Sequence, residues 1–309
     1  MSAGWVAATV RGRGLARRRL GADGARHLAR STSLPSALAA LGTTPYGRGL
    51  RTDMDLATAQ HTVSAAVLWH LRVLAGWGPP LGAGPLRLVA AGFEIANVSG
   101  QLARLSGQPA QAPYALGSMA TAWPAVSRAR TPAEVRAALR ASGWGDPGSD
   151  DPAAVRLAMQ LAWARRVFDD VPGAAEAAIG GAALVVARVL AAGARATLSP
   201  SAHRDATHLL GPQWHEAVSP EDLTRHVSRR ATQALRGVEH AEDLWHAEMR
   251  WWSAVEATGA TLVARSEVGA AAGVGVAALL AADAWRVRAA LALAAGGGGD
   301  LAEVRDAVA

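Results

Sequence analysis

No cysteine occurs among the 309 residues, which removes disulfides, thiolate zinc sites and cysteine nucleophiles. No lysine occurs either, so all 31 basic residues are arginines. Without lysine there is no G-x-x-x-x-G-K-[ST] loop, and the chain is not expected to hydrolyse ATP. There is no G-x-S-x-G elbow of the serine-hydrolase kind. Aromatics, which strands favour, make up 5% of the chain, and no run of four to eight residues alternates cleanly with β-branched positions. Sheet is therefore expected to be essentially absent. Arg11, Arg13, Arg17, Arg18 and Arg19 are followed by no apolar stretch, so no secretory signal is read.

Half of the residues are apolar, mostly Ala with Leu and Val, and Ala and Leu are strong helix formers. The length suits one large or two to three small domains. Breaker clusters punctuate the chain at Gly42–Gly49, Gly76–Pro85, Ser142–Pro152, Ser199–Ser201, Gly211–Pro220 and Gly296–Asp300, with helical patterns between them. Asp53–Ala75 sets Leu56, Val63, Val67, Leu71 and Leu74 near one face, and Leu86–Leu105 is a second apolar helix. Thr131 followed by Pro132 and Glu134 reads as an N-cap, a proline at the first helical position and a capping-box partner. Ser219-Pro220-Glu221-Asp222 repeats that start, and Asp151-Pro152 is a third. Ala177–Ala187 and Val268–Ala282 are apolar but shorter than the ~20 residues that span a bilayer, and read as core helices.

The net charge is +6 and the isoelectric point near 11.1. Arginine in place of lysine fits a GC-rich genome, and also a protein that meets acidic partners, nucleic acid or an anionic membrane surface. Gly273-Val274-Gly275-Val276-Ala277-Ala278 fits a loose G-x-G-x-x-A pattern, but no buried strand is read before it, so helix packing is the reading. His240 and His246 flank Glu242 and Asp243, and His203 and His208 are five apart. Neither pair has helical ligand spacing, and no metal or cofactor is expected. Asp169-Asp170 follows Arg165-Arg166 at surface ion-pair spacing. Eleven Trp against two Tyr and two Phe suit core filling, a protein interface or base stacking.

The chain also resembles itself. Ala37-Leu38-Ala39-Ala40-Leu41-Gly42-Thr43-Thr44-Pro45-Tyr46-Gly47 matches Val135-Arg136-Ala137-Ala138-Leu139-Arg140-Ala141-Ser142-Gly143-Trp144-Gly145. Both are a short helix ending in hydroxyl, breaker, aromatic and Gly. Glu94-Ile95-Ala96-Asn97-Val98 matches Asp283-Ala284-Trp285-Arg286-Val287, with an acid three residues before a polar group and then Val. These echoes suggest three degenerate helical units, 1–107, 108–200 and 201–309, with boundaries near Gly107 and Pro200.

Three segments together resemble the C subunit of bacterial and archaeal V/A-type ATPases, called d in eukaryotes. The first runs from Trp5-Val6-Ala7-Ala8-Thr9-Val10-Arg11 to Thr43-Thr44-Pro45-Tyr46-Gly47. The second runs from Phe93-Glu94-Ile95-Ala96-Asn97-Val98 to Leu102-Ala103-Arg104-Leu105-Ser106-Gly107. The third is Gly275–Arg288, with Leu301-Ala302-Glu303-Val304-Arg305 where the family has a short last helix. The chain departs from the family at Arg286, where Asn is usual, and at Gly181-Ala182-Ala183-Leu184-Val185, which lacks both acid and Asn. The family's Lys after the first N-L helix is also missing.

The resemblance implies an all-α funnel of three units about a pseudo-threefold axis. It implies a non-catalytic rotor subunit that couples a central stalk to a membrane proteolipid ring for proton or sodium transport, held through those partners at the cytoplasmic face of the plasma membrane. It implies no small-molecule substrate. Under it, Arg11, Arg13, Arg17, Arg18, Arg19, Asn97, Arg104, Arg286 and Arg288 are the partner-interface candidates. A helical scaffold with other partners, or a basic nucleic-acid-binding protein, remains the alternative.

Overall fold

The structure is a computed structural model describing residues 3–78, 84–171, 173–193, 197–265 and 268–300. Leu301–Arg305, read from sequence as a last helix, lies outside the described residues. So do residues 79–83 of one breaker cluster, and Ser266 and Glu267 before the glycine pair. Among the described residues there is no strand, and the chain is built of α-helices joined by turns. In order they are α1 (Ala3–Arg17), α2 (Gly21–Ala29), α3 (Leu34–Leu41), α4 (Leu56–Trp77), α5 (Gly84–Leu105), α6 (Trp123–Val126) and α7 (Pro132–Arg140). There follow α8 (Pro152–Asp170), α9 (Ala175–Ala191), α10 (Pro200–Leu210), α11 (Pro220–His226), α12 (Arg229–Ala234), α13 (Leu244–Arg265) and α14 (Ala270–Ala295).

Local sequence chemistry sets most of the starts. Thr131 Oγ1 accepts from Glu134 N at 3.2 Å, Ser219 Oγ from Asp222 N at 3.2 Å and Asp151 Oδ2 from Ala154 N at 2.8 Å, each with Pro in the first turn. The acidic partners reach one residue further back than a capping box requires. Glu134 accepts from Arg130 N and Asp222 from Val218 N, so they satisfy the donor before the cap rather than the cap's own.

The chain divides into two compact units. One is discontinuous and combines residues 1–86 with 255–309, and the other is residues 87–254. The boundaries fall inside α5, after Leu86, and inside α13, before Val255.

In the discontinuous unit α14 packs against α1, α2, α3 and α4. It is long and apolar enough to cross a membrane by length and composition, yet 61% of its most apolar window is buried within the chain. Close approach is possible because the interface is small. Ala25, Ala29, Ala37, Ala282, Ala290 and Ala294 are all fully buried. A Cβ on Gly275 would stand 2.7 Å from Gly259 O, and one on Gly259 would stand 2.9 Å from Gly275 O, so the two backbones touch where the end of α13 crosses α14. The loose G-x-G-x-x-A pattern is thus helix-crossing chemistry inside α14. Gly12 and Gly14, residues of poor helix propensity, lie within α1. Gly12 is buried with Val276 Cγ2 only 3.0 Å from where its Cβ would be, so close packing offsets the poor helix propensity.

The continuous unit has two cores. One gathers Ile95, Val98 and Leu102 of α5 with Val126, Val135, Leu139 and Trp144. The other gathers Leu161, Ala183, Leu209, Leu210, Leu223 and Leu235 from α8 to α12. Two tryptophans act alike here. Trp163 of α8 lies over Gly92 and donates from Nε1 to Leu88 O at 2.7 Å. Trp251 of α13 lies over Gly180 and Gly181 and donates to Ala177 O at 2.8 Å. In each case a glycine leaves room for the indole, and the carbonyl one turn earlier satisfies its N–H.

Candidate functional site

Among the described residues two carboxylates are fully buried, one in each unit, and each caps a helix that has no cap of its own. In the discontinuous unit Asp283 of α14 accepts from Leu20 N at 2.7 Å and Gly21 N at 2.8 Å, at the start of α2. Leu20, in the capping position, offers no side-chain acceptor. Tyr46 Oη adds a third donor at 2.6 Å. Burial, and then the adjacent Asp283 carboxylate, push the Tyr46 phenol well above its ordinary value. It stays a proton donor to Asp283.

In the continuous unit Glu94 of α5 accepts through Oε1 from Thr121 N, Ala122 N and Trp123 N at 2.9, 2.7 and 2.6 Å, at the start of α6. Ala122, the capping residue, has no acceptor either. Trp144 Nε1 donates to Glu94 Oε2 at 2.9 Å. The aromatic donors are set by the same turn in both places. Thr44 Oγ1 donates to Leu41 O at 2.7 Å and accepts from Tyr46 N at 3.2 Å. Ser142 Oγ donates to Leu139 O at 2.7 Å and accepts from Trp144 N at 3.1 Å. A carboxylate facing several backbone N–H groups at a helix start meets the positive end of the helix dipole as well as its unpaired donors.

Counted from the carbonyl that accepts the tryptophan N–H in each helix, Leu88 in α5 and Ala177 in α9, the positions of Glu94 and Asn97 correspond to Ala183 and Val186, both buried. The short helix α11 needs no remote acid, because its own cap, Ser219, takes the Asp222 N–H, and the Asp222 carboxylate takes the N–H of Val218 just before the cap.

The nine candidates take different places. Arg11 lies over the Trp69 and Trp77 rings at 6.0 and 5.3 Å. Arg13 donates to Val263 O at 3.4 Å. Arg17 and Arg18 are exposed, and Arg18 Nε reaches Gly14 O at 3.3 Å. Arg19 and Arg286 converge on Glu256, Arg19 at 3.5 Å and Arg286 in closer contact. The hydrogen bond from Arg286, opposed by burial and helped by both positive charges, holds the Glu256 carboxyl below the ordinary range. Arg288 is half-buried, and its carbonyl accepts from Gln60 Nε2 at 3.0 Å.

Asn97 and Arg104 belong to the continuous unit. Asn97 is buried and pairs twice with the Tyr114 backbone, at 2.9 and 2.7 Å. Arg104 ties Gln101 to the carbonyl of Gln111. The geometry thus brings Arg19 and Arg286 together, engages Asn97 inside the fold, and leaves Arg17 at the end of α1 and Arg18 just after it as exposed charge. Val6 and Val10 are exposed on the same helix, Val10 by 66%, as is Trp77.

Sequence reasoning noted both acids in the repeated pattern but took only Asn97 and Arg286, three residues after them, as site candidates. The signal was present, since each acid interrupts an otherwise apolar helix and the helix it caps has no Ser, Thr, Asp or Asn at its start. The arrangement can stiffen the fold by tying a long helix to a short one. Among the described residues no group of His, Asp and Glu is placed to hold a metal ion. Compared with known proteins, the chain matches no protein-family model and no curated protein.

Proposed function

We propose that the chain is a non-catalytic coupling subunit of the kind its sequence resembles, the C/d subunit of a V/A-type ATPase. In this reading three related helical units stand about a pseudo-threefold axis as a funnel. The funnel receives the end of a central stalk and rests on a ring of membrane proteolipid subunits at the cytoplasmic face. The observation that carries the reading is the repeated hydrogen-bond pattern about Asp283 and Glu94. It is made by chemically alike residues, an acid, an aromatic donor and a hydroxyl turn, and it supports duplication of one helical unit. In this reading the unit boundaries move away from Gly107 and Pro200, and the helical tracts α14 with α2–α4 and α5–α8 are two copies. The tract α9–α13, with Ala183 for the acid and a self-capped α11, is a third.

Torque transfer needs stiffness and contact area rather than a reactive group. Buried acids tying helix to helix, and glycine-mediated helix crossings, support the first requirement. Exposed Val6, Val10 and Arg17 of α1, with Arg18 just after it, offer apolar area and charge for the second.

The experiment is co-expression of the tagged chain with the stalk and proteolipid-ring subunits of a V/A-type ATPase from the same genome, followed by affinity capture. Stoichiometric recovery of stalk and ring subunits is expected, with ATP-driven ion transport lost when the chain is omitted from reconstitution. Capture of neither subunit, or transport unaffected by omission, rejects the reading.

A further inference from the structure

Within the continuous unit a cavity of about 140 Å³ opens between α8, α10 and the turn that follows Trp144. Its wall is partly apolar, with Trp144, Ala158, Met159 and Ala162. Its charged groups are unevenly satisfied. Asp146 is engaged, since both its oxygens take hydrogen bonds from Arg136, at 2.8 and 3.2 Å. Arg166 donates to Gly143 O and lies over the Trp144 ring at 4.9 Å. Arg165 differs. Its Nη1 stands 3.0 Å from Asp169 Oδ1, yet the atom is buried and makes no hydrogen bond. Asp205, which lines the cavity from α10, has neither a hydrogen bond nor an ion pair among the described residues. Burial pushes its carboxyl up, with Arg165 and Arg166 opposing.

A half-enclosed cavity with one unanswered guanidinium N–H and one unanswered carboxylate is suited to a ligand bearing both charges. A simple anion would be repelled by Asp205, and a simple cation by the two arginines. Size narrows the choice. A cavity near 150 Å³ holds benzene, about six heavy atoms. Alanine has that many, and valine only slightly more.

We propose that this cavity binds a small zwitterion of the α-amino-acid class. The carboxylate sits on Arg165, the ammonium on Asp205, and a short side chain lies against Ala158, Met159 and Ala162. The proposal stands apart from the coupling function, since it rests on the cavity alone.

Isothermal titration calorimetry of the full chain tests it, with L-alanine, L-serine and L-valine as probes. Propionate, propylamine and L-tryptophan are the controls. One site per chain is expected for the small amino acids, with propionate and propylamine weaker by about tenfold or more, the factor attached to losing a charged hydrogen-bond partner, and with L-tryptophan, too large for the cavity, giving no heat. Arg165→Met and Asp205→Asn should each weaken alanine binding by a similar factor. Ala162→Leu fills the cavity and keeps both charges, so it carries the test if either charge variant fails to fold, and it should abolish binding. No heat from any small amino acid overturns the proposal. So do propionate or tryptophan binding as tightly as alanine, and binding that survives Ala162→Leu.

Discussion

Tyr46 Oη donates a 2.6 Å hydrogen bond to Asp283 Oδ2, and both side chains are fully buried although 237 residues separate them in the chain. Two backbone N–H groups at the start of α2 share the same carboxylate. Removing the acid therefore strands three donors, whereas removing the phenol strands none. Asp283→Ala should cost about 3–5 kcal/mol of stability, as for loss of one partner in a buried charged network. Tyr46→Phe should cost about 1.5–3 kcal/mol, the range for one hydrogen bond to a charged group. Urea unfolding of both variants checks the order, and equal losses would contradict the capping role.

Glu94 has four donors and should behave as Asp283 does, with Glu94→Ala costing about 3–5 kcal/mol. The reverse experiment uses the third tract. Ala183→Glu puts an acid at the equivalent place in α9, where α11 already caps itself, so the new carboxylate would be buried without donors. Thermal denaturation should show both changes to be destabilising. A neutral Ala183→Glu would mean that α11 can recruit the acid.

Gly275→Ala brings a methyl to 2.7 Å from Gly259 O, a backbone atom that cannot turn aside. The usual helical gain of about 1 kcal/mol for Gly→Ala should be outweighed, with a net loss of about 1–3 kcal/mol from overpacking. Gly14, also in a helix but with nothing within 4 Å of its Cβ position, is the control. Gly14→Ala should stabilise by about 0.5–1 kcal/mol. Melting temperatures that move in opposite directions are the expected result.

Glu256 supplies a pH signature. Its folded carboxyl is held low, first by the hydrogen bond from Arg286. A group with a depressed folded pKa contributes fully above its unfolded value, near ~4.3 for Glu, and the contribution fades as pH falls through the folded value. The stability difference between the wild-type chain and Glu256→Gln should be greatest near neutrality and shrink as pH drops through the carboxylate range. Melting curves at a series of pH values measure it, and a pH-independent difference would show that the ion pair contributes nothing.

What could be seen in the sequence follows from how far each interaction reaches. The caps at Thr131, Asp151 and Ser219 are readable because donor and acceptor lie three residues apart. The all-helical class follows from abundant Ala and Leu and from the missing alternation. The likeness of Ala37–Gly47 to Val135–Gly145 is readable as well, because the Thr44 and Ser142 turns are local. The meaning of that likeness is not, since Tyr46 and Trp144 point to acids far away in the chain. Gly12 and Gly14 look alike in sequence, and only the position of Val276 separates a packing glycine from an open one. The cavity beside Arg165 and Asp205 depends on α8 and α10 meeting, which no spacing discloses.

The discontinuous unit carries a consequence for biosynthesis. The start of α2 waits for Asp283, a residue translated more than 260 positions later. Residues 87–254 form a compact unit of their own and are translated in full before that acid exists. The nascent protein must therefore hold α1–α4 without their partner helix while the middle tract consolidates. Closure of the first unit is then a late, long-range event in the folding of every molecule.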